Sequence, residues 1–371
     1  MRRITSILAI LCAALCLQPG RALAWGAQGH EVVGDIAAKL IADNANATKQ
    51  VHDILNDPLP SEAEIKALKE RHVWRQIGLQ QAGPWADCVK AVAHHDGNRF
   101  KYELDPNHPE YETACIPFNS ALERARMEDY VSRNWHSETC SYQPSGFEQG
   151  CHNTFHFDDV AIQRDAFDRS EVGTNPHDLV AAVNAALAVL TDKPAPAPFS
   201  IRDKKEALLL LTHFVGDLHQ PLHVGAVYLD AQGVLVDPDA ARQDNPDNQT
   251  AGGNLIQDQN VNLHAEWDDI PFDIGHAATR ELLAAARAVP ASSGPLENWA
   301  GDWATDTLQV AKTAFQGLSF AQTDPPPHPK WAVIFPDRLT YMHLADEIKR
   351  QQLAKAGARL AQILNTIWPK N

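Results

Sequence analysis

Past residue 24, this 371-residue chain has no run of about 18 apolar residues, the length a membrane-crossing helix demands. It also lacks positive charge: 32 Lys and Arg stand against 47 Asp and Glu, a formal net charge of −15, and no basic stripe relieves it. Gripping nucleic acid by counterion release is therefore closed to it, and a phosphate-bearing substrate has to be held mainly by bound cations. Cysteines spaced C-x2-C are missing, which argues against a cysteine zinc site. Strand-like alternation is scarce, and neither an internal repeat nor a dividing linker is visible. These absences leave one large, mainly helical domain.

The start of the chain is a processing signal in form. Arg2 and Arg3 make a charged n-region, Ile4 to Leu17 an apolar stretch, and Ala22-Leu23-Ala24 a small-x-small cleavage site, so residues 1–24 read as a signal peptide of bacterial, Ala-rich character. Trp25 becomes the mature N-terminus, residues 25–371 form the domain, and the protein is expected to be secreted or periplasmic. Cleavage removes Arg2, Arg3 and Arg21 and no acid, taking the charge from −15 to −18. Cys12 and Cys16 go with the signal. Cys88, Cys115, Cys140 and Cys151 remain, an even number in an exported chain, and predict two disulfides. Chain order suggests Cys88 with Cys115 and Cys140 with Cys151, but three connectivities are open.

Helical periodicity predicts helices in HEVVGDIAAKLIA, PHDLVAAVNAALAVL, KKEALLLLTHFVGDL, HAATRELLAAARAV and the closing DEIKRQQLAKAGARLAQILNTI. Asp105 to Gly150, rich in Pro, Asn and Cys, reads as a disulfide-tied loop, and Asp237 to Gly253 as a mobile flap.

The densest chemistry lies in HFVGDLHQPLHVG, from His213 to Gly225. His213 and Asp217 sit at i and i+4, so a helix reaching His219 projects imidazole and carboxylate from one face. Pro221 is expected to break that helix and free His223 for a different ion. His264 and Asp268 in NLHAEWDD repeat the i, i+4 spacing. Mixed His and Asp donors suit zinc better than calcium, which prefers oxygen cages, or electron-transfer copper, which needs a thiolate.

Trp25 and His30 in WGAQGH, Asp87 in WADCVK, His156 in HFDDV, HFVGDLHQPLHVG, the GGN of Gly252 to Asn254, NLHAEWD and the final GARLAQILN occur in order along the chain. Together they resemble the trinuclear-zinc single-strand nucleases of the S-one/P-one type, distantly related to zinc-dependent phospholipase C. The resemblance implies an all-α fold with long disulfide-tied loops and hydrolysis of single-stranded DNA and RNA to 5′-mononucleotides, with removal of 3′-phosphates from nucleotides. It further implies three zinc ions: one on Asp87, His156, His213 and Asp217, one on the Trp25 amine and carbonyl, His30 and Asp217, and one on His223, His264 and Asp268. Metal-activated water would attack phosphorus with Asp87 as proton acceptor, and the 3′ oxygen would leave from the third ion. Lys90 matches the position that stabilises charge on phosphorus, and Asn254 the amide that contacts phosphate. Phe157 matches an aromatic that stacks on an unpaired base and Asp159 an acid that accepts from a base edge. His219 matches no ligand and is given a supporting place.

Plainer readings compete at several positions. Lys90 as a solvated lysine, Asn254 as a turn residue and Phe157 as core packing are the alternatives. His94, His95, His136 and His152 compete with His156, because 68 residues separate Asp87 from His156 and the added length carries all the later cysteines. For the whole chain the alternatives are a phospholipase C-like phosphodiesterase and a non-catalytic zinc protein with closed coordination. No stable protein partner is implied, and a monomer is expected.

Overall fold

The computed structural model describes residues 25–59, 61–70, 76–95, 99–103, 113–136, 140, 150–241 and 245–370. The signal-peptide reading lies outside these residues, as do 96–98, 104–112, 137–139 and 141–149 of the expanded segment. What is described is mostly helical, with two disulfides, as the all-α expectation requires.

The helix Lys204–Asp217 is the axis of the molecule. Asp203 caps it by accepting from the Glu206 backbone N–H at 2.9 Å, and every residue from Lys205 to Asp217 is buried. A helix apolar on all sides has to be surrounded. Around it pack Ala27–Leu40, Ala45–Leu55, Leu179–Leu190 and Arg338–Ile367, with the short turns Leu79–Ala82 and Trp85–Cys88 closing one end. The last helix runs 30 residues, eight further toward the N-terminus than its periodicity marks, because Asp337 caps it through the Leu339 and Thr340 N–H groups.

One expectation is corrected here, and a second segment gains anchors the sequence did not reveal. Ala121–Arg133, inside the presumed loop, is a helix of 13 residues capped by Ser120. Its inward face mixes charge with the buried Met127, Tyr130 and Val131: Arg126 donates to both oxygens of Asp203 at 2.9 and 2.7 Å, Arg133 to both of Glu206 at 2.8 and 2.9 Å, and Lys205 to Glu123 at 2.5 Å. Apolar periodicity is blind to such a face. The Asp237 to Gly253 segment, expected as a flap, is tied down at both ends. Asp237 pairs with Arg164, and Thr250 is buried with its hydroxyl donating to Val227 O at 2.6 Å.

A second, smaller core lies under a four-stranded sheet in the order Val261–Asn262, Ile256–Asp258, Lys330–Ile334, Ser319–Asp324. Trp267 Nε1 donates to Tyr341 Oη and that hydroxyl to Ala314 O, both at 2.9 Å, which ties the helix Leu263–Asp268 to Arg338–Ile367 and to Trp299–Phe315. None of the helices among the described residues is long and apolar enough to cross a membrane. The disulfides pair Cys88 with Cys115 and Cys140 with Cys151, in chain order.

Candidate metal centre

Three groups of histidine and aspartate gather at the C-terminal end of the central helix: His30 with His213 and Asp217, Asp87 with His156 and His213, and His223 with His264 and Asp268. All eight residues are buried. Asp217 joins the first two groups. Its Oδ1 lies 3.2 Å from His30 Nε2, and its Oδ2 lies 3.2 Å from His213 Nε2 and 2.9 Å from His156 Nδ1. A fourth grouping, Cys140 and Cys151 with His177, has both thiols locked in the disulfide.

Local folding explains how each donor is aimed. His213 and Asp217 occupy the last turns of the central helix, which ends at Asp217 and not at His219 as the sequence reading supposed. Pro221 also acts differently from expectation: it opens a new short helix, Pro221–Val224, whose cap Gln220 accepts from the Leu222 N–H at 2.5 Å. Proline suits that first helical position because its missing N–H needs no partner there. His156 ends the 3-10 helix Cys151–His156, and Asp87 lies in the turn Trp85–Cys88. His30 approaches the central helix where Gly216 leaves room: a Cβ there would fall 2.7 Å from His30 Nδ1.

Backbone carbonyls set the ring tautomers. His213 Nδ1 lies 2.7 Å from Gly83 O, His223 Nδ1 2.6 Å from His156 O, and His264 Nδ1 2.7 Å from Gly252 O. A carbonyl only accepts, so each Nδ1 carries the proton and each Nε2 turns a lone pair inward. The Nε2 atoms of His223 and His264 then face each other at 3.1 Å, with Asp268 oxygens 3.7 and 3.6 Å away. Facing lone pairs are favourable only with positive charge between them. His213 Nε2 and His156 Nδ1 make a second close pair at 3.1 Å. Asp217 Oδ1 and Asp268 Oδ2 have no hydrogen-bond donor although both are buried. Orphaned carboxylate oxygens and inward lone pairs fit a cation, and the donor set of imidazole and carboxylate fits zinc.

The electrostatics are those of a cation trap. Burial works against ionising Asp87, yet Lys90 and the surrounding histidines outweigh it and hold the carboxyl down at about 2. Burial likewise opposes charge on Asp217, and His213 and His223 keep it well below the usual carboxylate range. Burial lowers His30, helped by His213 beside it. Burial opposes charge on His213 and His223 too, but Asp217 together with Asp87 at His213, and with Asp268 at His223, outweighs it and raises both.

The remaining sequence candidates fall around this centre. Lys90, 23% exposed, donates to Asp87 Oδ1 at 2.7 Å, so it points at the centre and is not a free solvated lysine. Phe157 is half-buried, its carbonyl accepting from the Leu179 N–H at 3.2 Å. Asp159 has a left-handed backbone, φ 59°, and its carbonyl takes the Tyr228 hydroxyl at 2.9 Å. Asn254 donates Nδ2 to Ala251 O at 2.9 Å, so the turn reading holds for one of its two amide hydrogens. The turn itself positions His264, since Gly252, at φ 56°, presents the carbonyl that fixes that ring. Trp25 is fully buried; its indole Nε1 donates to Gly216 O at 2.9 Å, and the adjoining Gly26 N–H donates to Asp268 O at 3.0 Å.

Among the described residues, none of the competing histidines enters a ligand group. His94 stacks on Phe100, His95 faces Glu103, His136 lies edge-on to Trp135, and His152 is buried beside Tyr130 and Trp135. His219 is occupied on both ring nitrogens, by Val215 O and by Arg359. Sequence reading missed Gln220, which donates to Asp268 Oδ1 at 2.7 Å, and the carbonyls of Gly83, His156 and Gly252. Carbonyls leave no side-chain signal, but Gln220 stands between two candidate ligands and could have been suspected.

Comparison with known proteins agrees with this geometry. The sequence profile described as S1/P1 Nuclease matches residues 25–369, a span that contains all three groups. Endonuclease 2 of Arabidopsis thaliana is 25% identical over 360 residues, covering 93% of this chain and 90% of that protein. Endonuclease 4 of the same plant is 28% identical over 182 residues, 44% of this chain and half of its own length.

Proposed function

The chain belongs to the S1/P1 nuclease family, and on that premise we propose that it is an exported zinc phosphodiesterase that hydrolyses single-stranded DNA and RNA to 5′-mononucleotides and removes 3′-phosphates from nucleotides. One observation carries the reading: three buried His and Asp groups, in which the Nε2 lone pairs of His223 and His264 face each other at 3.1 Å and Asp217 Oδ1 and Asp268 Oδ2 lack a hydrogen-bond donor. Asp87, His156, His213 and Asp217 would hold one ion, the Trp25 amine and carbonyl with His30 and Asp217 a second, and His223, His264 and Asp268 a third. Bound zinc supplies Lewis acidity toward phosphate oxygens and toward water.

The side chains around the ions do the rest. Lys90 keeps Asp87 ionised, which makes Asp87 a good charged ligand and a weak base; its contribution as a ligand exceeds any as proton acceptor. Lys90, part-exposed, can turn from Asp87 to an arriving phosphate and balance the charge that builds on phosphorus. The second amide hydrogen of Asn254 serves the same phosphate. Phe157 offers a ring face to an unpaired base, and Asp159 accepts from that base's edge; a stacked pair hides both faces of a base, so single strands are preferred. Retention of an acidic chain on a polyanion then rests on ions and stacking instead of a basic surface.

The test is hydrolysis by protein beginning at Trp25 and loaded with zinc. Expected are about three zinc ions per chain, mononucleotides from single-stranded DNA, and phosphate from 3′-AMP. Phosphocholine released from lecithin without nucleotide release would move the assignment to a phospholipase. Zinc-loaded protein inert toward every phosphoester would make it a binding protein.

A further inference from the structure

We infer that Arg359, far along the C-terminal helix, is a positioning residue that acts through His219 to set how the Asp217 and His223 ligand groups stand relative to each other. The inference rests on the metal-centre reading above. Asp217 ends one helix and Pro221 begins the next, so the spacing of the two groups is decided by Leu218, His219 and Gln220. Each of these three is held from outside. Leu218 O accepts from Thr307 Oγ1 at 2.7 Å, His219 O accepts from Gln352 Nε2 at 3.0 Å, and the Gln220 amide donates to Asp268 Oδ1 at 2.7 Å.

The His219 ring is the rigid member. It is fully buried, and its Nδ1 lies 2.7 Å from Val215 O, one turn back on the central helix. The carbonyl can only accept, so Nδ1 carries the proton and Nε2 presents a lone pair. Arg359 fills that position from 2.9 Å, and guanidinium can only donate, so the tautomer and the ring plane are set together. Arg359 is held in turn. Its second amino group donates to Asp306 Oδ2 at 2.9 Å, Lys355 donates to the same oxygen at 2.9 Å, and the guanidinium lies 5.4 Å from the centre of the Trp303 ring. A chain of fixed partners thus runs from the Trp299–Phe315 and Arg338–Ile367 helices into the joint between the two ligand groups. Neither Arg359 nor His219 touches a ligand atom; their effect is on where the ligands stand.

Three variants test this: Arg359→Met, which keeps the bulk and loses the donors; Arg359→Lys, which keeps a donor; and Lys355→Met, which weakens the Asp306 contact but leaves Arg359 on His219. Zinc affinity is read by equilibrium dialysis against a competing chelator, and melting of the metal-free protein is read separately. Arg359→Met should weaken the zinc bound by the His223 group about 10-fold, the lower range for partners that orient ligands, Arg359→Lys should fall between, and Lys355→Met should match the parent. Unchanged zinc affinity in Arg359→Met, with or without a lower melting temperature, would reduce Arg359 to packing and overturn the inference. Should that variant fail to fold, Arg359→Lys decides by the same affinity comparison. A parent protein that binds no zinc would sink the metal-centre reading itself, a result distinct from the variants matching a zinc-binding parent.

Discussion

Replacing Gly216 by alanine should separate metal binding from folding. The added Cβ would lie 2.7 Å from His30 Nδ1 and 3.0 Å from its Cε1, against 3.4 Å for ordinary contact. His30 would have to retreat by about 0.7 Å, several times the ±0.2 Å within which ligand distances hold. The ring has little freedom to retreat, because it is stacked on His213 with centroids 3.7 Å apart and both rings are buried. For the fold the effects partly offset each other: alanine in place of a helical glycine gains at most about 1 kcal/mol, less near a helix end, while overpacking a buried site costs about 1–3 kcal/mol. The metal-free protein should therefore melt only a few degrees lower, and zinc affinity at the His30, His213 and Asp217 group should drop about 10-fold to 100-fold, the range seen when ligand orientation is disturbed. Chelator competition gives the affinity and calorimetry of the metal-free protein the stability. Undiminished zinc affinity in a variant that folds would refute the reasoning, since it would mean that His30 does not need its observed position to bind.

Other residues give sharper yes-or-no outcomes. His156→Ala should lower zinc content and activity together while His152→Ala leaves zinc content intact, a comparison read by metal analysis; the reverse pattern would exchange their roles. Phe157→Ala should raise KM for single-stranded oligonucleotides by the equivalent of about 1–3 kcal/mol, the range for one base stacked on an aromatic, with Phe157→Tyr restoring it; equal KM values would leave Phe157 as packing. Stability should also fall on acidification through two buried neutral histidines. Burial, reinforced by Lys90, pushes His152 down to about 3, and burial with Arg359 lowers His219 well below its ordinary value. The unfolded chain takes up protons at about 6.5, so their contribution is complete above that pH and is lost as pH falls toward the folded values. Each histidine adds up to about 1.4 kcal/mol per pH unit. The His152→Gln variant should show a shallower acid slope in denaturant titrations, and an unchanged slope would contradict the assignment.

Much of the centre could be read before any coordinates because its chemistry is carried by side chains at helical spacing. His213 with Asp217 and His264 with Asp268 announce themselves at i, i+4, and the structure brings each pair into one group that could hold a metal ion. The helices with apolar stripes were equally plain. Ala121–Arg133 was not, because Glu123 and Arg126 are buried by pairing with Lys205 and Asp203, and a buried ion pair looks like a surface in sequence. Sequence is also silent on the sheet formed by Ile256–Asp258 with Lys330–Ile334, whose partners lie 75 residues apart along the chain, the first strand being too short at three residues to show an alternating pattern. Pro221 was read as a break because proline stops helices, whereas Gln220 in the capping position turns it into a start.

The two disulfides have an uneven reach across the centre. Cys88 is the neighbour of Asp87, and Cys151 shares a single 3-10 helix with His156, so both crosslinks fasten elements that deliver donors to the same group. The His223, His264 and Asp268 group is delivered by segments that contain no cysteine at all. The crosslinks therefore restrain only the elements that carry Asp87 and His156, and no disulfide among the described residues restrains those that carry His223, His264 and Asp268.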